Sequence, residues 1–411
     1  MSGFFSKLVL KVNFKYIVSL LLVASKTTAG FIFSWLLIDI YGEQIHVQIL
    51  KDLSAVIGIS LIIRFGADAV VLKLATKFYI DRDAKYLLLL LFSSLTLCFL
   101  NSLVFFYLFN SYFYFETIGN SDYIYIAFSI SLTFCMMSFL KAFKRVNFSF
   151  LGDAGIVMIF TFPLLLIRDI NVLVTMGYIW CSIASLSILF IIRVIFKECD
   201  IKRDERDCSF VSSFFIPLPN LFLNSSLNYL QQWGIIYLAA LSLDVKYASS
   251  FILIIRASYI FNAVLSPLAS YTVPEVIRLY EQGGAQRVNE YVKRTGWLYR
   301  YASVFCLLIS SVFSIWSVYP TLLELNYVLT FLFFLFCCSF NIMSGPVNMY
   351  MAMLGFDWVL IRIRIAISIP FFLVVFNVVD NMFIITCSFY ILLQRIVLVY
   401  FLKKKSGIIA V

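Results

Sequence analysis

The feature that most constrains this chain is its partition into twelve apolar runs of 17 to 28 residues, joined by shorter polar stretches. They are Tyr16 to Leu37, Leu53 to Ala75, Tyr86 to Phe109, Tyr123 to Phe143, Leu151 to Ile167 and Val172 to Phe196. The second six are Phe214 to Leu241, Tyr247 to Tyr271, Trp297 to Tyr319, Tyr327 to Leu354, Trp358 to Val379 and Phe383 to Leu402. At about 1.5 Å per helical residue, such runs match roughly 30 Å of bilayer hydrocarbon. Only 13% of residues are charged and 62% are hydrophobic, against about 25% charged in a soluble domain, so a water-soluble globule is excluded. The alternating strands of about ten residues that build an outer-membrane barrel are absent. The pattern predicts an all-α polytopic membrane protein with twelve transmembrane helices. The amino-terminal run has no small-residue cleavage site and is expected to be a retained first helix rather than a signal peptide.

Loop charge sets the expected orientation, because Lys and Arg collect on the cytoplasmic side of retained loops. Of 32 basic residues, 26 fall in the amino terminus, alternate loops and carboxyl end, Arg362, Arg364 and Arg395 among them. The opposite loops hold only Lys51, Arg168 and Lys246. Both termini are therefore expected in the cytoplasm, and the net charge of +10 reflects topology, with no call for nucleic acid as a partner. The polar stretch KECDIKRDERDCSF separates two sets of six spans. The expected organisation is a first six-helix bundle over 1–196, a cytoplasmic linker over 197–212 and a second six-helix bundle over 213–411.

Three cations are assigned to no loop or terminus and are read as lying well inside spans: Lys26, Arg64 and Arg256. Together they cost on the order of 8 to 10 kcal/mol by insertion scales, so each needs an aqueous lumen or a partner. Arg64 has Asp68 four residues on, a helical pair. Lys26 and Arg256 have no acid at three or four residues, which leaves an interhelical pair with Asp39, Asp52 or Asp68, or a lumenal anion site. Asn220, Asn224, Asn228 and Gln231 recur at helical spacing along the seventh span, and Asn262, Asn341 and Asn348 add amides to the eighth and tenth. Such amides either join helices or recognise sugar hydroxyls. Gly345, Pro346 and Pro267 are candidate hinges. Asp39 and Asp68 are the acids available for ion coupling. His46, the only histidine, falls in an expected short loop, and the nine cysteines have no ligand spacing. No metal site, cofactor, nucleotide loop or catalytic carboxylate pair is expected, and the chain reads as a non-enzyme. Transport would draw on the membrane potential or on a proton or sodium gradient.

The stretches TTAGFIFSWLLIDIYGEQIHVQIL, FNAVLSPLASYTVPEVIRLYEQGG and SGPVNMYMAMLGFDWVLIRIRI resemble the polysaccharide-export branch of the multidrug/oligosaccharidyl-lipid/polysaccharide (MOP) exporter superfamily, most of all its Wzx-type O-antigen flippases. The resemblance implies a V-shaped pair of six-helix bundles that works by alternating access in the bacterial inner membrane. It implies an undecaprenyl-diphosphate-linked oligosaccharide as substrate, with lipid, a polysaccharide polymerase and a chain-length regulator as partners. It also implies that Lys26, Arg64 and Arg256 meet the diphosphate. Two alternatives stand beside it. A multidrug exporter shares the twelve spans but normally relies on embedded acids; a polymerase or ligase for lipid-linked sugars normally needs a long outer loop.

Overall fold

A computed structural model of the chain describes residues 14–109, 122–167, 171–200, 208–318, 325–378 and 380–408. Lys7, Lys11, Arg168, Lys202, Arg203 and Arg206 of the charge count lie outside these, as do residues 201–207 of the expected linker. The described chain is a polytopic helical fold in which the described residues of the twelve apolar runs are mainly helical, and nine of its helices, or ten with one bent pair, are long and apolar enough to cross a membrane. In order the helices are α1 (Phe14–Tyr41), α2 (Glu43–Arg64), α3 (Ala67–Ile80), α4 (Ala84–Phe109), α5 (Asp122–Ala142), α6 (Val146–Ser149), α7 (Ala154–Thr161) and α8 (Val172–Glu198). There follow α9 (Cys208–Phe215), α10 (Leu218–Tyr229), α11 (Ile235–Ser242), α12 (Val245–Val318), α13 (Leu325–Met343), α14 (Val347–Met353), α15 (Asp357–Val375) and α16 (Asp380–Ser406). Contacts divide the chain into two units. One joins the residues up to Phe33 with Gln48–Gly234; the other joins Ser34–Val47 with Ile235–Val411.

In the first unit, several spans are broken. The second span parts at Phe65 and Gly66, whose φ angles are 44° and 81°. A Cβ on Gly66 would lie 2.7 Å from the Phe222 nitrogen and 2.8 Å from the Leu218 oxygen, so the backbone of α10 occupies the side-chain space. The Phe65 and Phe222 rings stack across this contact at 4.6 Å. The fifth span, Val146–Gly152 followed by Ala154–Leu166, bends by 63°. In the seventh, a π turn over Leu230–Gly234 links α10 to α11. The core is dominated by large side chains such as Trp180, Tyr123, Phe139 and Phe143, and α5 packs along α8. Hydroxyls bind carbonyls of neighbouring helices: Thr133 donates to Trp180 O at 2.9 Å, and Ser131 to Ser60 O at 2.8 Å. Such bonds join helices in a solvent that offers no competing partner.

The second unit corrects one expectation of the sequence. His46 sits inside α2, fully buried, because the connection from α1 shrinks to Gly42 and helix resumes at once. Its Nδ1 lies 2.9 Å from Ser249 Oγ on α12. Aromatic rings run along the packing of α12 on α13, with Tyr247 stacked on Tyr327 at 3.9 Å and Phe251 on Phe331 at 6.0 Å. The helix α12 holds both the eighth and ninth apolar runs. Thr272 Oγ1 and Tyr299 OH are 2.5 Å apart, whereas a straight helix would separate these positions by about 40 Å. The chain therefore doubles back between them, and Gly284, at φ 62°, is the residue whose backbone permits it. Val276 and Val292 from the two legs pack with Tyr350 and Leu402 at this end.

Two glycines separate backbone strain from crowding. Gly284→Ala meets no atom within 4 Å and should lower stability by about 1 to 2 kcal/mol through φ alone. Gly66→Ala adds a collision with the backbone of α10 and should cost about 3 kcal/mol or more, read as the larger drop in thermal midpoint in detergent. Equal losses would contradict the packing at Gly66.

Candidate functional site

Each unit holds its own cluster of charged groups. In the first unit, Lys26 lies midway along α1 and its Nζ is 2.7 Å from Asp153 Oδ2. Both side chains are partly exposed, at 26% and 37%. Asp153 follows the short 3-10 turn Phe150–Gly152 and directly precedes α7. The two segments meet closely because Gly155 lacks a side chain; a Cβ there would fall 2.1 Å from Lys26 O. The Phe150 ring lies 5.5 Å from the same ammonium. Lys141, near the end of α5, is close enough for its charge to interact with both Lys26 and Asp153.

Arg64 ends α2 and Asp68 lies in the first turn of α3, with Nε and Oδ2 3.4 Å apart. The pair thus spans the break at Phe65 and Gly66. Each charge also sits at the helix end that favours its sign, a cation on a carboxyl end and an anion on an amino end. Arg64 Nη1 donates to Ser60 Oγ at 3.3 Å, and its guanidinium lies 4.4 Å from the Phe134 ring centre.

In the second unit, Arg256 is buried on α12, its guanidinium 5.6 Å from the Tyr259 ring centre and within electrostatic reach of His46. Two further buried arginines escaped the sequence reading. Arg364 and Arg395, assigned there to a loop and to the carboxyl end, lie within α15 and α16 and are 3% exposed. Both fall within apolar runs, yet the charge count assigns them to the cytoplasmic ends of those runs, and packing shows them buried. Arg395 donates to Ser344 Oγ at 2.5 Å, to Asn341 O at 3.0 Å and to Gly345 O. It thereby fills the gap between α13 and α14, where Gly345 (φ 73°) and Pro346 interrupt the helix. Among the described residues, the buried charged groups of this unit are these three arginines, and no carboxylate is buried with them.

The remaining predicted residues are spread more widely. Asn220 and Asn228 are exposed on α10, Asn224 is half-buried, and Gln231 falls in the π turn that ends their regular spacing. Asn341 and Asn348 flank the Gly345 break; both are half-buried. Asn262 and Pro267 lie on continuous helical backbone in α12, and their side chains are outside the described ones. Asp39 is exposed near the end of α1. Asp153, the partner of Lys26, is 127 residues from it in the chain, and a pair so far apart leaves no local spacing to find. Among the described residues, no group of three or more His, Cys, Asp or Glu could hold a metal ion.

No protein-family model matches the sequence, and no curated protein matches it. Solved structures do. A MATE transporter crystallised in complex with MaL6 superposes with a TM-score of 0.62 at 12% identity, covering 95% of both chains. An inward-facing multidrug resistance MATE family transporter of the MOP superfamily gives 0.60 at 13% identity, covering 95% of this chain and 98% of that one. A MOP superfamily transporter from Pyrococcus furiosus, described as having a binding pocket of reverse polarity that suggests a different function, gives 0.55 at 13% identity, with 95% and 94% covered. The chain has the fold of the MATE transporters of that superfamily.

The contacts of Arg395 generate a stability prediction. Arg395→Met removes the guanidinium bonds to Asn341 O, Gly345 O and Ser344 Oγ, leaving Gly345 O only the Val347 N–H at 2.9 Å, and should cost about 1 to 3 kcal/mol, seen as a lower thermal midpoint in detergent. The control is Arg278→Ala at the bend of α12. There a 3.0 Å hydrogen bond from Arg278 Nε holds the Glu275 carboxyl below its usual range, but both groups meet solvent and the midpoint should not move measurably.

Proposed function

We propose that this protein is a flippase that carries undecaprenyl-diphosphate-linked oligosaccharide from the cytoplasmic to the periplasmic face of the bacterial inner membrane by alternating access. The observation that carries this reading is the cationic surplus of the second unit, with Arg256, Arg364 and Arg395 buried and no buried carboxylate among its described residues. Buried arginines in an apolar medium favour an anionic visitor, and a diphosphate presents oxygens in the geometry that guanidinium groups bind. Lys26, Arg64 and Arg256 are the proposed diphosphate contacts. The amides of α10 and those flanking Gly345 are proposed to meet sugar hydroxyls, with Asp39 and Asp68 as acids for ion coupling. Moving an anion out of a negative interior is favourable by about 2.3 kcal/mol per charge per 100 mV, so the membrane potential can drive the cycle. Both termini are proposed to be cytoplasmic, with Gly345, Pro346 and Pro267 as flexing points.

Drug export is the second reading, because a structural neighbour is a multidrug resistance transporter. The Pyrococcus furiosus protein, described by a binding pocket of reverse polarity, is a precedent for a different function on this fold.

The test is complementation of a deletion strain. Loss of the gene should leave lipid-linked oligosaccharide facing the cytoplasm and remove long surface polysaccharide. Lys26→Ala and Arg256→Ala, at wild-type membrane levels, should restore less than about a tenth of export, and Lys26→Arg should restore more. Full restoration by both alanine variants would remove the anion site. Unchanged polysaccharide with altered drug sensitivity would favour drug export, and short units reaching the outer face without polymerising would favour a polymerase or ligase.

A further inference from the structure

We infer that Asp153 is an exchangeable internal counter-ion for Lys26, a positioning residue that holds the ammonium until an anionic headgroup takes it over. The inference rests on the anion-transport reading above and adds a residue and a step to it. Three observations carry it. The 2.7 Å ion pair is partly open to its surroundings, so an incoming anion can reach the ammonium without unfolding the unit. The Lys26 backbone is fixed against α7 by the close approach at Gly155, so exchange requires only side-chain rotation.

The third observation concerns where the carboxylate goes when it lets go. Asp153 occupies the N-cap of α7 with extended backbone angles (φ −71°, ψ 137°), the position from which an Asp side chain ordinarily accepts from the first helical N–H groups. It makes no such bond; the carboxylate is turned to Lys26 instead. Asp153 therefore has two alternative sets of donors within reach of one rotation, the Lys26 ammonium and the amino end of its own helix. When a phosphate oxygen binds Lys26, the displaced carboxylate caps α7 and remains hydrogen-bonded. When the headgroup leaves, Asp153 returns and the ammonium is neutralised again. Lys141, whose charge interacts with both groups, adds to the local positive potential once the pair opens. A permanent pair would instead withhold Lys26 from any ligand, and a bare Lys26 would retain the ligand too long.

The experiment uses the full chain in detergent and in proteoliposomes, with geranylgeranyl diphosphate as the binding probe. Asp153→Asn removes the competing charge. It should tighten probe binding about three- to tenfold, the range expected for losing a partly exposed ion pair as competitor, and should slow release by a similar factor. Lys26→Ala should weaken binding by about tenfold or more. The charge swap, Lys26→Asp with Asp153→Lys, reports on folding: it should keep the wild-type thermal midpoint within a few degrees yet fail to restore binding. If Asp153→Asn leaves binding unchanged or weakens it while Lys26→Ala still weakens it, counter-ion exchange is overturned and the anion site stands. If Lys26→Ala leaves probe binding unchanged while the swap keeps the wild-type midpoint, the pair is structural, and Lys26 drops out of the anion site as well.

Discussion

A polar backbone group inside an apolar layer has to find its partner within the protein, and this fold breaks its helices repeatedly inside that layer. Four breaks show how the requirement is met. Beside the break at Phe65, Asn101 Nδ2 donates to Ile63 O at 2.8 Å. At the bend before α7, Trp180 Nε1 donates to Gly152 O at 3.2 Å. At the π turn, Ser54 donates to Trp233 O, and at the Gly345 interruption Arg395 donates to Gly345 O. In each case the donor belongs to another helix of the same unit, so the break and its neighbour form one structure. The irregularities are consequently positioned features rather than loose points in otherwise regular spans.

The same breaks place the charges. Helix ends expose partial charges, and a break creates two new ends at membrane depth. Arg64 and Asp68 sit on the two ends made by the break between α2 and α3. Asp153 sits at the amino end of α7, made by the bend in the fifth span, and reaches Lys26. Arg395 meets the interruption between α13 and α14. The insertion penalty of an ionised group is therefore offset locally, by a helix end and by a counter-ion or carbonyl. For Arg64, for Lys26 through Asp153, and for Arg395, the break and the charge are one arrangement; Arg256 and Arg364 lie within continuous helix and are held otherwise.

Much of this fold was legible in the sequence, and the reasons for the remainder are physical. Apolar run length reports helices directly, since a bilayer demands about 20 consecutive apolar residues, and the described residues of the twelve runs are mainly helical. Gly345 and Pro346 announced their break because both residues act on the backbone. Gly66 gave a weaker signal: its role comes from the approach of Leu218 and Phe222, more than 150 residues away. Of the charges, Arg64 with Asp68 could be read from a spacing of four. Lys26 with Asp153 could not, and Asp153 passed as an ordinary polar residue near the start of the fifth run. Arg364 and Arg395 were hidden by the positive bias of loops, since counting them with the cytoplasmic charge left their place inside the last two runs unexplained. His46 shows the opposite error, a polar residue assigned to a loop that the tight turn at Gly42 removed.

The two units neutralise their cations by different means, and that difference bears on how an anion would be handled. In the first unit, Lys26 and Arg64 each face a carboxylate, at 2.7 and 3.4 Å. A formal counter-charge offsets most of the desolvation penalty, and it can be exchanged for another anion. In the second unit, the guanidinium of Arg395 is surrounded by carbonyl and hydroxyl dipoles, and Arg256 lies against an aromatic ring. Dipoles satisfy hydrogen bonds but leave net charge in place, and a guanidinium keeps its proton across the ordinary pH range. At Arg395 the second unit therefore keeps a positive charge satisfied by dipoles, whereas the first holds cations whose availability depends on what their carboxylates are doing. On the proposed reading, the exchangeable pair of the first unit is what lets a bound headgroup leave. Fixed cations alone would bind a diphosphate and retain it, and transport requires both capture and release.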